Sequence, residues 1–135
     1  MSVYDFQVPA VCYQHQICED PRKVISLYHD GYARVQSIGE TSHRTVGELR
    51  FDRGFVISMI EIFTEMIGEA PRAFNPEPEH KGKSEEHVLT VTSIRGDKKN
   101  CEWRYPKDYI GIPPIFEEIV DKIGALEELV LKAKR

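Results

Sequence analysis

Cys12, His15 and Cys18 recur at intervals of three residues near the start of the chain, and Cys101 stands far downstream. Thiolates and imidazoles are the ligands zinc prefers, and four such groups would complete a tetrahedral sphere. The spacing argues against that chemistry. Residues 8–18 alternate as a strand, with Val11, Tyr13, His15 and Ile17 on one side and Cys12, Gln14, Gln16 and Cys18 on the other. Residues six apart on a strand lie about 20 Å apart, while zinc draws each ligand to within about 2.3 Å. His15 also points away from both cysteines. We therefore expect no metal and no cofactor; Cys12, His15, Cys18 and Cys101 could meet only if an irregular loop gathered them. Three cysteines without an export signal read as reduced thiols packed as small apolar groups.

Other chemical groupings are weaker. No local signature of a nucleophilic cysteine surrounds any of the three. His29-Asp30 resembles an acid–base pair, but it falls in a turn, where aspartate usually bonds the backbone. Glu61, Glu65 and Glu69 share one helix face and read as a solvated surface. Gly39, Gly47 and Gly54 are isolated, so no phosphate-cradling loop is present. Trp103, Arg104 and Tyr105 lie near Lys98 and Lys99, a combination that can stack bases or anchor a protein partner. Large aromatics are also the usual filling of a core.

The elements that would position these groups can be read from periodicity. Val24 to Val35, VISLYHDGYARV, is a strand, a turn on Asp30-Gly31 and a returning strand. A two-residue loop would mix apolar and polar side chains on one face. A three-residue loop, His29-Asp30-Gly31, with Gly31 left-handed, sorts them instead. Ile25, Leu27, Ala33 and Val35 then share the apolar face, and Ser26, Tyr28, Tyr32 and Arg34 share the polar one. Thr45 to Phe51 reads as a third strand of this meander. From an N-cap at Asp52, the apolar positions Phe55, Met59, Ile62, Phe63 and Met66 mark a helix, with Gly68 placed to stop it. Residues 69–86 carry three prolines and many charges and are expected to form a mobile loop, cut first near Lys81 or Lys83. His87–Ile94 and Cys101–Tyr105 read as a second hairpin. Pro113-Pro114 opens a final helix with Phe116, Ile119, Val120, Ile123, Leu126 and Val130 on one face, and Gly124 a place where it could bend or split.

The order ββββ-α-ββ-α predicts one α+β domain over residues 1–135, with an antiparallel sheet of five to six strands and both helices on one face. The other face would stay open to solvent or a partner. Residues 25–31 (ISLYHDG), the helix GFVISMIEIFTEM, the strand HVLTVTSI and the ending PPIFEEIVDKI together resemble a bacterial domain family of unknown function, over residues 23–123. The resemblance implies the α+β fold and supplies no activity.

A net charge of −4, with 41% hydrophobic and 30% charged residues, argues against nonspecific nucleic-acid binding. No apolar run has the length of a membrane span. Asp5 stands where an export signal would carry positive charge, and we expect a cytoplasmic location. The leading functional expectation is a small interaction module, such as an inhibitor, immunity-type or accessory factor, without catalytic activity of its own. Its protein partner would be met by Tyr28, Tyr32, Arg34 and Trp103. One alternative is an enzyme or metal protein using Cys12, Cys18, Cys101 and a histidine. Another is a nucleic-acid module built on the Trp103 hairpin.

Overall fold

The structure, a computed structural model, describes residues 3–77, 79 and 82–133. A short 3-10 turn, Val3–Phe6, precedes four strands: β1 (Val11–Ile17), β2 (Arg22–Leu27), β3 (Tyr32–Ile38) and β4 (His43–Arg50). Helix α1 (Arg53–Glu69) follows, then β5 (Ala73–Phe74), β6 (Ser84–Thr92), β7 (Lys98–Pro106) and helix α2 (Pro114–Lys132). The strands form one sheet in the order β4-β3-β2-β1-β6-β7-β5. The α+β class stands. The sheet, however, has seven strands and is mixed, because β5 runs parallel to β7. This extra strand lies within the stretch expected to be loop. Phe74 draws it in: it is the segment's one large apolar side chain, and its ring meets Phe116 and Tyr109 at 5.7 and 6.3 Å. Ser84–Glu86 likewise belong to β6, leaving a shorter connection, of which Pro78, His80 and the expected cleavage point Lys81 lie outside the described residues.

The β2–β3 hairpin has the expected register. Leu27 opposes Ala33, and Ile25 opposes Val35. The Tyr28 amide donates to the Tyr32 carbonyl at 2.8 Å, and the Gly31 amide donates to the Tyr28 carbonyl at 3.0 Å. Gly31 has φ +100°, and a Cβ there would stand 2.0 Å from the Phe51 carbonyl oxygen. Glycine is required on both counts. The β3–β4 ladder slips by one residue at Val35/Gln36, which leaves Val46 without an opposing partner. Next to this bulge, Gly47 lets α2 approach closely, since a Cβ there would lie 3.2 Å from the Val130 carbonyl oxygen.

Asp52 caps α1 by accepting from the Phe55 amide at 2.8 Å. The helix does not stop at Gly68. It runs to Glu69, and the Ala70 amide bonds the carbonyls of Met66 and Ile67. Pro71 supplies the stop, because a residue before proline is pushed out of the helical region and Ala70 is extended. Gly124 does not split α2, which is continuous over 19 residues. Those residues span about 28 Å, and the five strand spacings from β7 to β4 make about 24 Å. The helix thus reaches from β7 to β4, with Phe116 stacked on Trp103 at 4.7 Å and Val130 beside Gly47. Both helices bury their apolar stripes in a single core with one face of the sheet.

Two glycine replacements separate backbone need from backbone cost. Gly31→Val should destabilise the protein by about 2 kcal/mol or more, from left-handed strain plus the collision with Phe51. Gly124→Ala, in open space on α2, should stabilise it by about 0.5–1 kcal/mol. Urea denaturation of both variants measures the two values, and similar effects at the two positions would contradict the assigned geometry.

Candidate functional site

Strand alternation carries side chains from β1, β6 and β7 beyond the apolar core to one end of its face. In the β1–β6 ladder Tyr13 opposes Leu89 and His15 opposes His87. The Thr92 amide donates to the Ala10 carbonyl, and the Cys18 amide to the Ser84 carbonyl, which marks the even-numbered β1 positions as the hydrogen-bonded pairs. His15 and His87 therefore form a non-hydrogen-bonded pair, the type in which side chains come closest. Their rings stack at 4.3 Å and 10°. Glu85, two residues before His87 on the same face, accepts from or shares a proton with His15, Nε2 to Oε1 being 3.0 Å.

His87 is only 3% exposed, yet both its nitrogens are bonded. Nδ1 lies 2.6 Å from the Tyr13 hydroxyl, and Nε2 lies 3.0 Å from the Tyr105 hydroxyl. Burial, reinforced by the charges of His15 and Lys23, pushes the His87 pKa down to about 3, so the ring is neutral. Burial also raises both phenols, Tyr105 to about 12 with help from Glu85 and Glu117. The Tyr13–His87–Tyr105 chain is thus a neutral relay with two tautomers of equal connectivity. It borders a cleft of about 350 Å³ between this end of the sheet and α2. Trp103, Ile112, Phe116 and Val120 form its apolar walls, while Glu117 and Asp121 face it from the helix. Among the described residues that line it there is no serine, threonine or cysteine; the polar groups are the imidazoles of His15 and His87, the Tyr105 phenol and the carboxylates of Glu85, Glu117 and Asp121.

The cysteines are dispersed. Cys12 is on the opposite face of β1, 3.9 Å from the Ser26 hydroxyl, with its thiol pKa raised by burial. Cys18 is exposed beyond the end of β1. Cys101 is in the core and donates to the Pro71 carbonyl at 3.2 Å. No irregular loop gathers them with His15, because residues 11–17 are regular strand. Trp103 is 1% exposed, sandwiched between His87 at 4.9 Å and Phe116 at 4.7 Å. It is a wall of the cleft, and its expected role as a surface anchor is corrected by this burial.

The polar hairpin face is also covered. Tyr28 and Arg34 are 3% and 7% exposed, and Tyr32 is half-buried. The cover is the 3-10 turn. The Tyr4 ring stacks on Tyr32 at 4.0 Å and tilts against Tyr28 at 4.8 Å. The Asp5 carboxylate sits 3.0 Å from the Arg34 guanidinium, and the Tyr28 hydroxyl donates to the Tyr4 carbonyl at 3.0 Å. Tyr4 also donates to Asp30 at 2.5 Å and accepts from Arg50 at 2.8 Å. Burial alone would raise the Asp30 carboxyl, but its bonds from Tyr4, the Tyr32 amide and Arg50 hold it below the usual range.

A comparison with protein-family models, with curated proteins and with solved structures finds no match to this chain. Among the described residues, no helix is long and apolar enough to cross a membrane. The fold and its side chains carry the functional reading. Glu85 falls in the stretch expected to be loop, and the start of the chain, where Asp5 is notable only for its charge, has no pattern that marks Tyr4 and Asp5 as a cover for the hairpin. The usable signal for the cleft was His15 within the alternating apolar series Val11, Tyr13, Ile17, where a histidine needs buried partners.

Because unfolding frees His87 to bind a proton near pH 6.5, while the folded state resists until about pH 3, the unfolded chain holds more protons in between. Stability should therefore be flat above about pH 6.5 and fall below it, by up to about 1.4 kcal/mol per pH unit. Urea titrations from pH 7 to 4.5 with a chelator present should show this slope. His87→Gln, which retains a donor and an acceptor between the two tyrosines, should flatten it, and an unchanged slope would show that His87 is not the group responsible.

Proposed function

We propose that this chain is a protein-binding module that recognises an aromatic residue followed by an acidic one, in the slot formed by Tyr28, Tyr32 and Arg34. Its own Tyr4-Asp5 acts as the resident that a partner displaces. The observation that carries the reading is the incomplete satisfaction of Arg34. Its NH2 nitrogen reaches both Asp5 and the Tyr28 hydroxyl at 3.0 Å, while its buried Nε has no hydrogen-bond partner. Burial by itself would lower the Arg34 pKa, and Tyr28 and Asp5 more than reverse that, so the cation is retained. A carboxylate approaching in bidentate fashion would engage Nε as well as the terminal nitrogen. A charge-assisted bond of that kind contributes about 1.5–3 kcal/mol. That margin matters, because a resident segment tethered close by competes at millimolar effective concentration.

The aromatic half of the motif has its own seat. Stacking against Tyr32 and Tyr28 adds about 0.5–1.5 kcal/mol beyond area burial, and Arg50 lies 6.0 Å from the Tyr32 ring centroid on the exposed rim. The module works by occupying its partner. We place it in the cytoplasm, where its three free thiols would stay reduced.

A fluorescent peptide corresponding to residues 2–8, SVYDFQV, tests the slot by anisotropy. Asp5→Asn in the full chain loosens the resident and should raise peptide affinity about tenfold, corresponding to about 1.4 kcal/mol. Adding Tyr32→Ala to Asp5→Asn should remove the gain. Peptide binding that is absent in both wild type and Asp5→Asn, or indifferent to Tyr32, would refute the assignment. Simultaneous alanine replacement of Tyr28, Tyr32 and Arg34 should lower the melting temperature, since two of the three are buried.

A further inference from the structure

The geometry points to a divalent transition-metal site, of the zinc type, formed by His15, Glu85 and His87 at the mouth of the cleft beside α2. The donor atoms of the three residues lie within 4.8 Å of one another. Glu85 Oε1 is 3.0 Å from His15 Nε2 and 3.9 Å from His87 Nε2. A tetrahedral ion with bonds of about 2.0–2.1 Å holds its donors about 3.3–3.4 Å apart. Drawing the set together therefore requires displacements on the scale of side-chain rotations, with the parallel imidazoles tilting towards one another. Strand register supplies the placement: His15 and His87 face each other across β1 and β6, and Glu85 is the next residue on the same face.

The donor chemistry selects the ion. Two imidazoles and one carboxylate suit zinc, cobalt, nickel or ferrous iron, and do not suit calcium or magnesium, which favour oxygen ligands. With three protein ligands, the fourth position opens into the cleft, towards Glu117 and Asp121. The outer contact of His87 is already in place. Its Nδ1 lies 2.6 Å from the Tyr13 hydroxyl, and a proton on Nδ1 donated to Tyr13 leaves Nε2 as a lone pair for the ion. Binding would exchange two existing bonds, His15–Glu85 and His87–Tyr105, for metal bonds. Tyr13 is in this sense a positioning residue. The site lies on the helical side of the sheet, and the Arg34 slot lies on the other, so the two proposals stand separately.

The test uses the full chain, stripped with a chelator and dialysed, then titrated with Co²⁺ while visible absorption is followed and Zn²⁺ is added as competitor. The expected result is saturable 1:1 binding with a nitrogen-ligated Co²⁺ spectrum that Zn²⁺ abolishes. His15→Ala and Glu85→Gln should each weaken binding at least tenfold. Tyr13→Phe, which keeps all three donors, should weaken it about 10–100-fold. Circular dichroism and melting of each metal-free variant separate lost affinity from lost fold; Glu85→Gln, at a partly exposed position, guards against the failure of another variant. No saturable binding, or 1:1 binding unchanged by both His15→Ala and Glu85→Gln, overturns the site.

Discussion

The antiparallel pairing of β1 with β6 is the constraint on which the rest of the molecule depends. It joins a meander formed by residues 11–50 to a hairpin formed by residues 84–106. Each half is locally specified and would present one further edge, β1 or β6, without this pairing. Joined at β1 and β6, they make one sheet broad enough for α2 to cross and for α1 to lie beside it in a common core. The loop closed by this pairing spans α1 and β5, so it forms against a large chain-entropy cost. Side chains such as Val11, Leu89 and Val91, all essentially buried, offset that cost.

Register at this seam decides the chemistry. Because alternation has period two, a slip of one residue would send His15 to the outer face while His87 stayed on the inner. In the observed register, Tyr13, His15, Glu85 and His87 arrive on one face, and Tyr105 and Trp103 join them from β7. The same alternation delivers Tyr28 and Arg34 to the outer face, where Tyr4 and Asp5 cover them. The two faces thus carry different equipment. One holds imidazoles and carboxylates around a cleft, and the other an arginine held beneath an aromatic–acidic turn.

What was legible in the sequence was what local rules decide. The β2–β3 register followed from sorting Ile25, Leu27, Ala33 and Val35 onto one face around Gly31, and the Asp52 cap followed from the change of period. The stop of α1 lies beyond Gly68, at Glu69, because Pro71 restricts Ala70 to an extended conformation and so ends the helix where the glycine does not. Strand β5 was missed because two residues, Ala73 and Phe74, carry too little periodicity to register; a distant contact with Phe116 and Tyr109 holds them. Pairing between residues more than 70 positions apart has no local signature, so neither His87 beside His15 nor Tyr13 on His87 was visible. The burial of Tyr28 and Arg34 was hidden for the same reason. Their alternation marked a polar face, but not that residues 4 and 5 would fold over it.

The most direct test of this account is the β1–β6 register itself. In an antiparallel ladder, the α-protons of a non-hydrogen-bonded pair approach most closely, since their Cα atoms are about 4.5 Å apart. Nuclear Overhauser spectra recorded in D₂O should therefore show strong Hα–Hα cross-peaks for Val11–Val91, Tyr13–Leu89 and His15–His87. Cross-peaks displaced by one residue, or none between these strands, would contradict the seam and with it the convergence of His15, Glu85 and His87.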